Sequence, residues 1–188
     1  REDFEKRRTQ YEELYRLLEI DPPVWTDQIE TRFEEQVEAI LRTRPKVFSF
    51  VFGIPGKEIL TECRMAGIAT IGAATTVEEA LLIEEAGCDM VVATGFEAGG
   101  HRPSFLHAAE ESLMGTLALI PLIKDRVKIP VIGAGGIGDS RGIKAAFSLG
   151  ADAVQLGTAF LACQESGAGR KHKAQLLSQP TERTILSR

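Results

Sequence analysis

The sequence predicts an α/β fold of parallel strands joined by helical crossovers, and three observations carry that prediction. Short apolar runs alternate with helical patterns from residue 46 onward. A half-repeat closes each helix and opens the next strand: Ala66-Gly67-Ile68, Ala86-Gly87-Cys88-Asp89 and Leu149-Gly150-Ala151-Asp152, with glycine where a helix C-cap expects it. Further glycines gather at strand exits, where the backbone turns sharply and passes close to a ligand with no side chain in the way. A doubly wound sheet and a (β/α) barrel both satisfy these observations.

Taken in order, residues 4–20 place Tyr11, Leu14, Tyr15, Leu17 and Leu18 at helical spacing, and Asp21-Pro22-Pro23 ends that helix. A second helix is expected from Asp27 to Thr43, with Asp27 and Glu30 as a capping box and Phe33, Val37, Ile40 and Leu41 as its buried stripe. Its many carboxylates read as a solvated face. The first strand is expected over 47–53, then a helix from Pro55 to Ala66, then a strand over 68–73. Thr76, with Glu79 three residues on, caps the next helix, which ends at Ala86-Gly87. The strand over 89–94 leads into Gly95-Phe96-Glu97-Ala98-Gly99-Gly100-His101. A helical segment over 104–128 shows Leu113, Leu117, Ile120 and Ile123 on one face. A strand over 130–134, a helix over 140–149 and a strand over 153–157 follow, with a last helix around 171–177 in a polar tail.

The 188 residues suffice for one ordinary domain with a sizeable core, and 44% hydrophobic with 26% charged is globular. A formal charge of −5 gives no support for a nucleic-acid partner. Cys63, Cys88 and Cys163 are odd in number and far apart, with no metal-ligand spacing, so buried thiols in a reducing compartment and no disulfide are expected. No apolar run approaches the roughly 18 residues of a membrane helix. Residues 1–8 lack the apolar core of a signal peptide, so a cytoplasmic protein without a membrane partner is expected. The chain does not open on methionine, which reads as a fragment or a shortened sequence.

Gly133-Ala134-Gly135-Gly136-Ile137-Gly138 matches GxGxxG between a strand and a helix. The dinucleotide fingerprint also needs an acidic residue at the end of the next strand. Here that strand ends in Gly157-Thr158, and Asp152 stands at its start. The barrel reading explains more. Barrel enzymes carry their chemistry at strand C-termini and often bind phosphate with the loops after the last two strands. Gly135-Gly136 and Gly157-Thr158 are those loops here, and their N–H groups suit an anion at a helix N-terminus. His101 faces the same mouth, and histidine exchanges a proton near neutral pH.

Four ordered motifs also carry a resemblance: Gly95-Phe96-Glu97-Ala98-Gly99-Gly100-His101-Arg102, Gly115-Thr116-Leu117-Ala118-Leu119-Ile120-Pro121, Pro130-Val131-Ile132-Gly133-Ala134-Gly135-Gly136-Ile137 and Gln155-Leu156-Gly157-Thr158-Ala159-Phe160-Leu161. Together they resemble the nitronate monooxygenases, FMN-dependent barrel enzymes, over roughly residues 45–170 and more loosely in the helical start. The resemblance implies that His101 is the catalytic histidine and that Gly99 and Gly100 form the turn beside the flavin ring. It implies that Ala134, Gly135, Gly136, Gln155, Gly157 and Thr158 bind FMN at the ends of the last two strands. The implied reaction is oxidative denitrification of an alkyl nitronate, in which the flavin takes electrons from the substrate and dioxygen reoxidises it. His101 would take the α-proton of a neutral nitroalkane or bind its nitro oxygens, Arg102 would attract the nitronate or face solvent, and Glu97 would orient the turn. FMN- and NADH-dependent enoyl-acyl-carrier-protein reductases share much of the pattern and remain the alternative, as does a flavin-binding fragment without turnover.

Two departures bear on this. Pro103 stands where the family more often has glycine, which stiffens the loop after His101. Nothing before Lys46 reads as the family's opening strands, so five of a barrel's eight strands are found. The division expected is a helical segment over 1–45, the flavin-binding portion of a partial (β/α)8 TIM barrel over 46–165, and a tail over 166–188. The chain alone is expected to bind FMN weakly and not to turn over. Its oligomeric state is left open.

Overall fold

The computed structural model describes residues 2–24, 32–178 and 184–186. Five parallel strands stand side by side in chain order: β1 (Val47–Phe50), β2 (Ala69–Ala74), β3 (Met90–Thr94), β4 (Val131–Ala134) and β5 (Ala153–Gln155). A doubly wound sheet would reverse its order at a switch point. The uninterrupted β1-β2-β3-β4-β5 order is that of a barrel segment. The first and last strands stop short of the expected ends, at Phe50 and Gln155.

The register puts the sheet's two faces to different use. Val91, Ala93 and Val131 join the large core beneath the helices, while Ala73, Val92, Ile132 and Ala134 line the other face. α4 (Lys57–Met65), α5 (Val77–Glu85), α6 (Thr116–Lys124) and α7 (Ser140–Ser148) are the crossovers. Two of them pack closely because glycine lies beneath. A Cβ on Gly72 would come within 2.9 Å of Ile83 of α5, and one on Gly133 within 2.7 Å of Ile120 of α6.

The half-repeat has a physical basis at both of its parts. Ile68, Cys88 and Ala151 each return a backbone N–H to a carbonyl five residues earlier, and the intervening glycines take positive φ, which is the Schellman helix end. The aspartates that follow work on neighbouring strands. Asp89 Oδ2 accepts from Thr70 N at 2.7 Å and Thr70 Oγ1 at 2.9 Å. Asp152 Oδ2 accepts from Val131 N at 2.8 Å and Lys124 Nζ at 2.7 Å. Asp152, at the wrong end of its strand to hold a ribose, thus fixes the entrance of β4.

The expectations for the helices need correction in four places. Residues 4–20 form two helices rather than one, α1 (Glu2–Gln10) and α2 (Glu12–Leu17), with Tyr11, Leu14, Leu17 and Leu18 exposed. α3 (Phe33–Thr43) buries Val37 but leaves Phe33 47% exposed, while the expected capping box at Asp27 and Glu30 lies outside the described residues. The segment 104–128 is helical only in α6, preceded by a 3-10 turn at Ala109–Glu111. α6 buries Thr116, Leu119, Ile120 and Ile123, with Leu117 66% exposed and Leu113 outside the helix. Glu79 does not close a capping box on Thr76. The Thr76 hydroxyl accepts from Glu79 N, while the Glu79 carboxylate turns elsewhere.

Two compact units divide the chain, one through Ala39 and one from Ile40 onward, and the second contains the sheet, α8 (Thr158–Leu161) and α9 (Arg170–Ser178). Among the described residues no helix is long and apolar enough to cross a membrane. The cysteines are free, with Cys63 and Cys88 buried and Cys163 half-buried.

Candidate functional site

Because the strands are parallel and adjacent, the exits of β3, β4 and β5 lie along one edge of the sheet. The β3 exit is shaped by a single interlock. Thr116, the first residue of α6, receives Glu97: its backbone N lies 2.9 Å from Glu97 Oε2 and its hydroxyl 2.9 Å from the same oxygen. The hydroxyl also lies 2.9 Å from the Gly135 carbonyl oxygen and 3.2 Å from that of Ala134, so its one proton has acceptors on both turns. The β3 and β4 exits are thus tied through one side chain. Glu97 is the turn-orienting carboxylate the sequence suggests.

Glycine is required where these pieces meet. A Cβ at Gly95 would stand 1.9 Å from Thr116 Oγ1 and 2.4 Å from Thr116 N. Gly135 holds φ +108, and a Cβ there would stand 2.9 Å from Ala98 N. Gly99 approaches the third exit: its Cβ would come 3.2 Å from Thr158 Oγ1, whereas Gly100 and Gly157 have open space beside them. An open hollow of about 540 Å³ continues from Gly157 past Phe160, Leu161, Cys163, Glu165 and Ser166.

His101 is exposed at this mouth. Its ring meets that of Phe52 edge-on, with centroids 6.1 Å apart and planes at 89°. Phe52 lies just beyond β1 at φ 64, a left-handed conformation uncommon for a bulky residue. The next residue, Arg102, corrects the reading of it as a nitronate attractor or a solvent-facing cation. It is half-buried and turned into the fold: Nη1 donates to the Thr94 carbonyl at 2.6 Å, while Nε, at 2.9 Å, and Nη2 donate to that of Ser112. Burial lowers its pKa from the usual guanidinium value, opposed by the nearby carboxylates of Glu79 and Glu97.

Sequence reading missed two groups here. Thr116 occurs inside a quoted motif but carries no chemical signal on its own. Glu79 looks like an ordinary helix-start carboxylate, yet it is fully buried and reaches the loop after His101, where Oε1 accepts from Phe105 N at 2.7 Å and Leu106 N at 3.1 Å. Burial raises its pKa, and hydrogen bonds from Thr75, Phe105 and Leu106 outweigh that effect and lower it.

One helix N-terminus expected to face an anion is already filled. Asp139 caps α7, its Oδ1 accepting from Arg141 N at 2.8 Å and Gly142 N at 3.3 Å. The hydrogen-bonded Arg141 guanidinium and these two N–H groups hold its carboxyl at about 2. The first N–H groups of α7 are therefore already taken by its own cap. Among the described residues no group of three or more His, Cys, Asp or Glu side chains is arranged to hold a metal ion.

Known proteins resemble this chain over most of its length. It is 47% identical over 174 residues to a probable nitronate monooxygenase of Staphylococcus haemolyticus, covering 92% of this chain and 49% of that protein. It is 50% identical over 145 residues to one from Bacillus subtilis, covering 77% of this chain and 42% of that protein. The chain therefore spans about half the length of the curated relatives it matches. Among solved structures, the nitroalkane oxidase of Streptomyces ansochromogenes superposes with a TM-score of 0.80 at 38% identity, over 90% of this chain and 50% of that one. FabK of Thermotoga maritima gives 0.70 at 31% identity, over 94% and 53%. The family profile described as nitronate monooxygenase matches residues 2–188, so the chain belongs to the nitronate monooxygenase family.

Proposed function

We propose that the protein acts as an FMN-dependent oxidoreductase on nitroalkanes and their nitronates, with dioxygen as the second substrate. The observation that carries this reading is the exposed His101 on the β3 exit, beside glycine turns at the exits of β4 and β5. The residues present fit a flavin mononucleotide. Gly100 and Gly157 are exposed, with no atom within 4 Å of where a Cβ would stand, so a flat ring and its tail would meet no side chain at either position. Gly99 and Gly100 would lie along the ring, and Ala134, Gly135, Gly136, Gln155, Gly157 and Thr158 would hold the phosphate end. Bound FMN supplies the electron acceptor that side chains do not provide.

The chain's own contribution is proton transfer and orientation. With a neutral nitroalkane, an imidazole nitrogen of His101 takes the α-proton, and the electron pair of the broken C–H bond stays on the substrate as the nitronate. With a preformed nitronate that step is already complete, and the imidazole hydrogen-bonds the nitro oxygens. Phe52, edge-on to the ring, offers an apolar side to a short alkyl chain. Arg102 is committed to Thr94 and Ser112, so it does not recommend a nitronate over another substrate.

His101→Ala tests the assignment in the full-length, FMN-loaded protein. Turnover of a neutral nitroalkane is expected to fall about 10²–10⁴-fold, the range of a positioned base, with FMN content retained and nitronate turnover falling far less. Comparable losses on both substrates would remove the general-base role. Rapid anaerobic bleaching of the flavin by NADH would favour the enoyl-thioester reductase reading instead.

A further inference from the structure

The loop that carries His101 is held by a helix from the preceding strand's crossover. Glu79 lies in the first turn of α5 and is 0% exposed. Its carboxylate accepts four hydrogen bonds. Oε2 takes Thr75 N and Thr75 Oγ1, both at 2.6 Å, and Oε1 takes Phe105 N at 2.7 Å and Leu106 N at 3.1 Å. A buried carboxylate is costly unless its oxygens are satisfied, and these are.

One pair of donors belongs to the β2 exit and the other to the His101 loop. Beside them, Glu78 Oε2 lies 3.3 Å from His107 Nε2. The loop is therefore pinned twice beyond His101: at Arg102, by the carbonyls of Thr94 and Ser112, and at Phe105 and Leu106, by Glu79. Pro103, buried between the pins, restricts the path further.

The same helix carries its own control. Glu84 Oε1 accepts from Lys128 N at 2.5 Å and Ile129 N at 3.0 Å, but those residues lead into the entrance of β4, at the end of the sheet away from the exits.

We propose that Glu79 is a positioning residue for His101, its carboxylate fixing the path of residues 102–106 and with it the aim of the imidazole at the substrate's α-carbon. The proposal rests on the reading of His101 given above. Glu79→Gln keeps the size but replaces one acceptor oxygen by an NH2 group that faces donors. Amide hydrogen exchange at Phe105 and Leu106 is expected to rise by about tenfold or more, as expected for the loss of a hydrogen bond to a charged group, with Lys128 and Ile129 unchanged. Glu84→Gln should give the reverse pattern. In the full-length, FMN-loaded protein, Glu79→Gln is expected to lower kcat on a neutral nitroalkane about tenfold, as misplacement of a reacting group does. KM, nitronate turnover and FMN content should stay unchanged, and Glu84→Gln should leave nitroalkane turnover intact. Glu79→Asp keeps both oxygens on a shorter stem and should give intermediate exchange; it serves where Glu79→Gln does not fold. Unchanged exchange at 105–106, equal kcat losses in the two Gln variants, or equal losses on both substrates would each overturn the proposal. Absence of nitroalkane turnover in the unmutated protein would sink the functional reading instead, and the exchange arm would then alone decide whether Glu79 holds the loop.

Discussion

Asp139 is the residue whose environment is most directly testable. Its carboxyl is held at about 2, chiefly by the Arg141 guanidinium and then by the N–H groups of Gly142 and Arg141. The native value is depressed, so the contribution to stability is fully present above the unfolded carboxyl value of about 3.9. It is lost as pH falls through about 2. Carbon-detected NMR should show Asp139 titrating near that value, and Arg141→Ala should move it upward; a midpoint unmoved by that substitution would refute the pairing. This cap was within reach of sequence, because an aspartate ahead of a helical run is a local signal. Glu79 and Thr116 were not. Phe105 is 26 residues from Glu79, and Gly135 is 19 from Thr116. Their roles exist only once the strand exits are brought side by side.

At the scale of an element, α6 shows how a correct helix can be given the wrong face. Leu113, Leu117, Ile120 and Ile123 obey a helical spacing, but so do Thr116, Leu119, Ile120 and Ile123, which are the residues buried. Pro121 distinguishes the two. A proline leaves the carbonyl four residues earlier without its helical partner, which here is Leu117, and that carbonyl needs water. Leu117 lies on the exposed side of the helix, 66% exposed, while Ile120 is fully buried over Gly133. Ile120→Ala is expected to lower stability by about 3 kcal/mol, and Leu117→Ala by no more than about 0.5 kcal/mol, in urea denaturation. Similar losses would restore the face first inferred. α2 teaches the complementary point: leucines at helical spacing mark one side of a helix, but they do not supply the surface that would cover it.

For the whole molecule, alternation of strands and helices made the fold class legible, and the glycine-rich exits made its working end legible. Alternation alone fits two architectures, because the same βαβ units build both; the glycine turns at the last two strand exits favoured the barrel, and the strands do run in chain order. Among the described residues β1 and β5 each pair on one side only. Unpaired strand edges invite association, and Val47 on β1 is 44% exposed. Sedimentation velocity on the 188-residue chain should show species larger than 20.5 kDa that grow with concentration, and Val47→Lys should reduce them. A monomer at all concentrations would count against an exposed β1 edge. The aspartates at the strand entrances carry a different consequence. Asp89 locks onto Thr70 and Asp152 onto Val131, so neighbouring strands are aligned from the end opposite His101. The stagger of the sheet is thereby set without reference to what the exit loops contain. Such a chain can lengthen or rewrite those loops in evolution, or accept grafted ones from an engineer, and keep the frame that presents them.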